Sequence, residues 1–357
     1  MTEQGRTAER SWRPLAVIAG VLIVYALGSK IPLPGLDAER LVAAGASQGP
    51  AARFSVMALG LTPLLTVLVF IEFARLLIPQ FRQWQSASFA NAVWVGRIVT
   101  ICAIVLAALQ GFGVVAALTR IGVVEADNAT ILADVAALVG GTLVLIWLAD
   151  RIVLPGVGNG FWLLWIAPFL AGLATQIAIA IAAMQTGAVT GSAVLISAAY
   201  LLIASAAVVV VNIIIARGES GQDSTSELGG PKGIAMRALI WSPLLANVAA
   251  GYIAALFYVV FAWSTPALLL TRLILFIPLI VLFVLAYARQ TNGQGAVPWS
   301  LLALLQLVVC VVGEWLTMGL GLPWRLDGAL LIVTVTVLTS LLRLLPVSRG
   351  APATASA

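Results

Sequence analysis

The chain has 357 residues, of which 62% are hydrophobic and 9% charged, whereas a soluble domain carries about one quarter charged residues. No aqueous fold could cover so much apolar surface, so the composition excludes a soluble globular enzyme and makes lipid the solvent. The net charge of +5 comes with basic residues scattered singly or in pairs between apolar runs, a pattern that marks membrane topology and not a nucleic-acid-binding face. There is no His, and Cys102 and Cys310 both lie inside apolar runs, so neither a disulfide framework nor a Cys/His metal site is supported. No metal and no cofactor is expected.

Taken in chain order, the apolar runs predict spans at 14–29, 55–78, 93–118, 129–149, 160–186, 191–216, 234–262, 266–287, 298–318 and 327–346. Each is long enough to cross about 30 Å of hydrocarbon at about 1.5 Å per residue. The fold class is therefore an all-α integral membrane protein with ten transmembrane helices. The first run follows MTEQGRTAERSWRP and continues to Ser-Lys-Ile-Pro without a small-residue cleavage site, which predicts a retained span and not a signal peptide. The longest polar insert, from Ala216 to Gly233, reads as a flexible loop, and the small polar tail from Gly350 is expected to be disordered.

Ten spans put both termini on one side. Thirteen of the nineteen basic residues fall on that side, and the other side holds only Lys30, Arg40, Arg53, Arg120, Arg272 and Arg325. The positive-inside rule then predicts cytoplasmic termini. Pro63-Leu64-Leu65-Thr66 early in the second span is echoed by Pro243-Leu244-Leu245-Ala246 early in the seventh. Two five-span halves, 1–190 and 191–349, with a tail at 350–357, would be inverted relative to each other, with a pathway at their interface. Chance recurrence in leucine-rich sequence is the other reading of the echo.

Few polar residues interrupt the spans. Gln110 in the third must face another helix, because an unbonded amide in hydrocarbon is costly, and Asn247 in the seventh is a candidate partner. Glu314 in the ninth has no basic neighbour on its own helix, and an intramembrane carboxylate is a candidate functional group. Glu72, with Arg75 three residues on, reads as a local pair. Before the fifth span, Gly158 and Gly160 allow positive φ and Asn159 can cap the helix amides.

Four stretches carry a family resemblance: LIVYALGSKIPLPGLD at 22–37, FSVMALGLTPLL at 54–65, RIVLPGVGNGFWLLWIAPFLAGL at 151–173 and LDGALLIVTV at 326–335. In this order they resemble the SecY family, the channel-forming subunit of the protein-secretion translocon, with Asp327 where a glycine is expected. The resemblance implies two halves around an hourglass pore that passes polypeptides across or laterally into the bacterial cytoplasmic membrane. It puts a lateral gate between the second and third spans and the seventh and eighth.

The family's waist ring falls on Leu61, Leu65, Phe161, Trp165, Leu245 and Ile332. Two of these pairs stand at i and i+4, one above the other on a helix face; without the family they read as ordinary helix packing. Gln110 falls at the gate, with Asn247 across it, and Gly158, Asn159 and Gly160 form the cytosolic turn. The resemblance further implies a small SecE-like subunit, a polypeptide substrate and no enzymatic activity.

The sequence departs from the family at three loops. The segment from Ala38 to Phe54, where the family's plug folds back, is short. The insert after the sixth span carries Glu219, Asp223 and Glu227 in place of a basic segment, and the loop at 288–299 is brief. Binding of SecA or the ribosome in the usual way is therefore not expected. Two alternatives stand beside the channel: a scaffold turned to small-molecule or lipid transport through Glu314, Gln110 and Asn247, and a non-conducting regulatory paralogue.

Overall fold

The computed structural model describes residues 3–36, 54–125, 127–218, 233–261, 265–291 and 298–345. The shortened loop after the first span, the acidic insert, most of the 288–299 loop and the polar tail lie outside the described residues. The chain forms α1 (Glu3–Gly28), α2 (Thr62–Leu77), α3 (Pro79–Ser86), α4 (Phe89–Arg120), α5 (Asn128–Ala149), a hairpin of β1 (Val153–Leu154) and β2 (Gly158–Asn159), and α6 (Phe161–Ala171). It continues with α7 (Leu173–Gln185), α8 (Gly191–Gly218), α9 (Ile234–Phe261), α10 (Thr265–Gln290), α11 (Trp299–Gly319) and α12 (Gly328–Leu342).

Among the described residues seven stretches are long and apolar enough to cross a membrane, and eight if the pair α2–α3, bent by 106°, counts as one. Two further apolar helices, 12–28 and 328–342, are shorter. These elements follow the ten expected spans in order, but the length criterion itself yields seven or eight.

Local chemistry sets the helix ends. Ser88 accepts from the Ala90 amide, Asp127 from Ala129 and Thr130, and Asp327 from Ala329 and Leu330. Such caps matter where no water can satisfy the first turn. Asp327, the departure from the expected glycine, is thus the cap of α12.

The second span needs correction at its start. Helix begins at Thr62 and not near residue 55; Ser55 pairs with Pro32 in an isolated β-bridge and 56–61 are turns. Gly60 takes a positive φ of 56° there, and Pro63 sits in the first turn of α2, where its missing N–H costs nothing. Pro243, in contrast, lies inside α9, so the two Pro-Leu-Leu segments hold different places in their helices. A proline there orphans the carbonyl four residues earlier. Gln306 of α11, fully buried, donates its amide to the Ala238 and Leu239 carbonyls at 2.9 and 3.2 Å and satisfies that site.

Helices α1 to α7 pack mainly among themselves, as do α8 to α12, and the two sets meet where α2 packs on α9 and where α6 and β1 pack on α12. A continuous apolar cluster runs through both sets. A smaller one, around Leu33, Val115, Leu118, Val124 and Leu138, fixes the turns after α1 against α4 and α5. Large apolar side chains such as Ile101, Val105, Leu109 and Phe112 on α4, and Leu195, Leu202 and Ile203 on α8, point outward, as lipid-facing surface requires.

Candidate functional site

Four helices, with Leu61 as the N-cap of α2, carry the six expected waist residues. Leu61 and Leu65 are one turn apart, the Leu65 amide donating to the Leu61 carbonyl at 2.9 Å. Phe161 opens α6, with Trp165 a turn further on. Leu61, Phe161, Leu245 and Ile332 are buried, Leu65 and Trp165 are half-buried, and all six belong to the same apolar cluster. Sequence reasoning missed the aromatic backing of this group. Trp162, buried, meets Phe161 at 5.0 Å and Trp165 at 5.9 Å between ring centroids, and Trp241 of α9 at 5.1 Å, all edge to face. Edge-on contacts of this kind are the favourable geometry for aromatic quadrupoles.

The glycine turn before α6 is a two-residue β-hairpin, in which Val153 pairs with Asn159 and Leu154 with Gly158. Gly158 has φ 104°, which favours glycine. Asn159 bridges the turn, donating to Asp150 at 3.2 Å and accepting from the Phe161 amide at 3.4 Å. Gly160 must stay small because a Cβ would come within 2.6 Å of Ile152. The hairpin is also held by the second set of helices: Ser340 of α12 donates to the Pro155 carbonyl at 2.7 Å. Arg343, just past α12, donates to the Asn212 carbonyl at 3.1 Å. The turn is thereby pinned to the same end of the molecule as the C-terminal ends of α8 and α12.

The expected Gln110–Asn247 pair is corrected by the structure. The Asn247 carbonyl oxygen accepts from the Arg272 guanidinium of α10, a charged donor that an amide on α4 does not displace. Gln110 is half-buried on α4. Asn247, Arg272, Glu314 and Asp327 line one cleft together with Cys310 and Phe276. Glu314 and Asn247 are thus brought together, but Gln110 is not among the cleft's lining residues.

Glu72 also departs from the local-pair reading. It does meet Arg75, at 3.3 Å, but it is 2% exposed and its main partners come from the other set of helices. Arg237 of α9 donates to both carboxylate oxygens at 2.9 Å, and the Tyr287 hydroxyl of α10 donates to one at 2.6 Å. The signal available in sequence was a carboxylate deep in an apolar run; its partners, 165 and 215 positions away, carry no local signature.

The family model described as SecY matches residues 55–222. The protein translocase subunit SecY of Buchnera aphidicola subsp. Acyrthosiphon kondoi is 28% identical over 184 residues, covering 46% of this chain and 52% of that one. SecY of Escherichia coli (strain K12) is 28% identical over 184 residues, 46% of this chain and 42% of that one. Over this stretch the chain is similar to the SecY family. The match spans about half the length of these curated SecY relatives. A solved structure described as that of a protein conducting channel superposes with a TM-score of 0.49 at 14% identity, over 96% of this chain and 94% of that one; a likeness at this level carries no conclusion by itself. Within the SecY-matched stretch lie Leu61, Leu65, Phe161, Trp165, Gln110, Glu72 and the hairpin. Leu245, Ile332, Asn247 and Glu314 lie beyond it.

Proposed function

We propose that this chain is the channel-forming subunit of a reduced SecY-type translocon, passing polypeptides across or laterally into a bacterial cytoplasmic membrane. The observation that supports this reading is the match to SecY over 55–222, together with the burial of Leu61, Phe161, Leu245 and Ile332 in the apolar core that joins both sets of helices, with Leu65 and Trp165 packed against it. An apolar constriction excludes water and therefore ions, while side chains without fixed polar partners can part around a polypeptide. The seam between α2 and the α9–α10 pair is then the lateral gate, with Gln110 on the neighbouring α4. The first half, 1–190, and the second, 191–349, act as the two jaws. A SecE-like one-helix subunit clamps them, no bond is made or broken, and both termini face the cytoplasm. The basic residues support that orientation: Arg75 and Arg237 meet at one end of the seam, and Arg343 lies beside the hairpin.

The test is a photocrosslinker placed at Leu65 or at Leu245 and challenged in membranes with a stalled secretory chain. Crosslinks from both positions are expected. Absence of both, with the stalled chain still crosslinking to an ordinary SecY in the same membranes, overturns the reading. The cleft of Asn247, Arg272, Glu314 and Asp327 supports a second reading, transport of a small charged molecule or lipid. Ligand-dependent thermal stabilisation lost in Glu314→Gln, without polypeptide crosslinks, would favour it.

The brief cytosolic loops lead to a further expectation. Glu219, Asp223 and Glu227 sit where a basic segment would attract RNA, so co-sedimentation with ribosomes at physiological salt should be weak or absent. Binding as tight as that of an ordinary SecY complex would contradict it.

A further inference from the structure

A carboxylate in an apolar run is expensive to bury and is retained only where it is paired and hydrogen-bonded. Glu72 meets that condition in a way that joins separate parts of the fold. Its own helix α2 supplies Arg75, α9 supplies Arg237 and α10 supplies Tyr287. Neighbouring turns of α2 also meet these two helices through aromatic rings. Phe70 meets Tyr252 of α9 at 6.3 Å, and Phe73 meets Phe283 of α10 at 5.6 Å. The carboxylate at the centre of these contacts is itself buried, 2% exposed.

The arrangement also reaches α3. The chain turns by 106° between α2 and α3, and this brings Gln85 back so that its carbonyl oxygen accepts from Arg75 Nε at 2.7 Å. Gln85 is 1% exposed, whereas its neighbour Trp84 is 47% exposed. A polar helix packed on α2 and α4 is thus tied through one side chain to Arg75, a partner of the carboxylate.

We infer that Glu72 is a latch across the seam, through which α2 parts from α9 and α10 only when the Arg237 ion pair and the Tyr287 hydrogen bond break together, with α3 as the lever that reaches it. This deepens the channel reading, because the latched seam is the one assigned there as the lateral gate. The physical reason is an asymmetry. Aromatic contacts weaken gradually as surfaces separate, whereas a buried carboxylate losing its partners in lipid stays uncompensated until water or another cation reaches it. A seam held this way has two discrete states and no continuum between them, which is the property a gate requires.

The test reads seam opening directly. Phe283 is buried against Phe73, so a cysteine at 283 in a Cys102→Ser/Cys310→Ala background reacts with a membrane-permeant maleimide only when the seam opens. In membranes, Glu72→Gln should raise the labelling rate by about tenfold, Tyr287→Phe by about threefold, and Gln85→Ala by a smaller factor. Labelling unchanged in both Glu72→Gln and Tyr287→Phe overturns the latch. If Glu72→Gln does not purify as a monodisperse species, Arg237→Gln and Tyr287→Phe decide the matter by the same criterion. The readout needs no translocating polypeptide. Latch variants that label faster in a protein never crosslinking to a secretory chain would leave the latch standing and remove the channel; the converse pattern would remove only the latch.

Discussion

Gly141→Ala is expected to lower the melting temperature of the detergent-solubilised protein by several degrees, while Gly140→Ala, one position earlier, leaves it unchanged or raises it. The two glycines share a helix and a local sequence, so helix propensity alone favours alanine at both, by about 1 kcal/mol. Their surroundings differ. A Cβ on Gly140 would meet nothing within 4 Å, whereas one on Gly141 would overlap the Val56 carbonyl oxygen and come within 2.8 Å of its carbon. That neighbour is backbone and cannot rotate away. The segment it belongs to is also fixed on its other side, with the Val56 amide bonded to the Ile31 carbonyl at 3.0 Å and the Leu33 amide to the Phe54 carbonyl at 3.1 Å. Overpacking of this kind costs about 1 to 3 kcal/mol. The same shift would be carried along 56–61 to Leu61, so Gly141→Ala should also loosen the waist. Equal melting temperatures for the two variants would show that the segment yields freely.

How much of this was legible in the sequence depends on the range of the interaction. The spans could be read because lipid makes each helix satisfy its own backbone, so that length and apolarity alone mark it. The start of α2 could not, because Phe54 to Leu61 is as apolar as a helix and only Gly60, with its positive φ, and the close approach to Gly141 make it a turn. The turn before α6 could be read in part: Gly158 takes a positive φ of 104°, whereas Gly160 has φ −70° and the strand pairing of the hairpin has no local signature. Glu72 shows the opposite case: its i+3 neighbour Arg75 offered a sufficient local explanation, yet Arg237 and Tyr287 are the partners that matter. Asn247 fails in the same way, since Arg272 was counted among charges at the membrane boundary and not as a donor to the seventh span. In each miss, the governing contact is between residues distant in sequence, and a single sequence carries no trace of that pairing.

The waist yields the remaining large effect. In planar bilayers the purified wild-type protein should be tight to ions, Phe161→Ala should leak modestly, and the Phe161→Ala/Trp165→Ala double mutant should leak most. On the proposed channel reading, the segment that the family uses as a plug is short here, and the ring itself is expected to supply the seal. Aromatic side chains bury about 150 to 250 Å² each, and both stand a turn apart on α6, the helix that packs on α12. Phe161 is 3% exposed, and truncating a buried phenylalanine leaves a cavity that its surroundings fill only in part. Trp162 and Trp241, edge to face behind at 5.1 Å, should keep α6 folded against α9 when Phe161 is lost, so the single variant loses bulk at the proposed pore without losing the helix. Removing Trp165 as well opens the half-buried side of the same wall and admits water beyond the reach of that backing. The order of the three conductances is therefore the informative quantity, and folding is checked separately by retained monodispersity. A double mutant as tight as wild type would show that these two side chains do not hold the pathway shut, and would shift the seal to Leu61, Leu65, Leu245 and Ile332 alone.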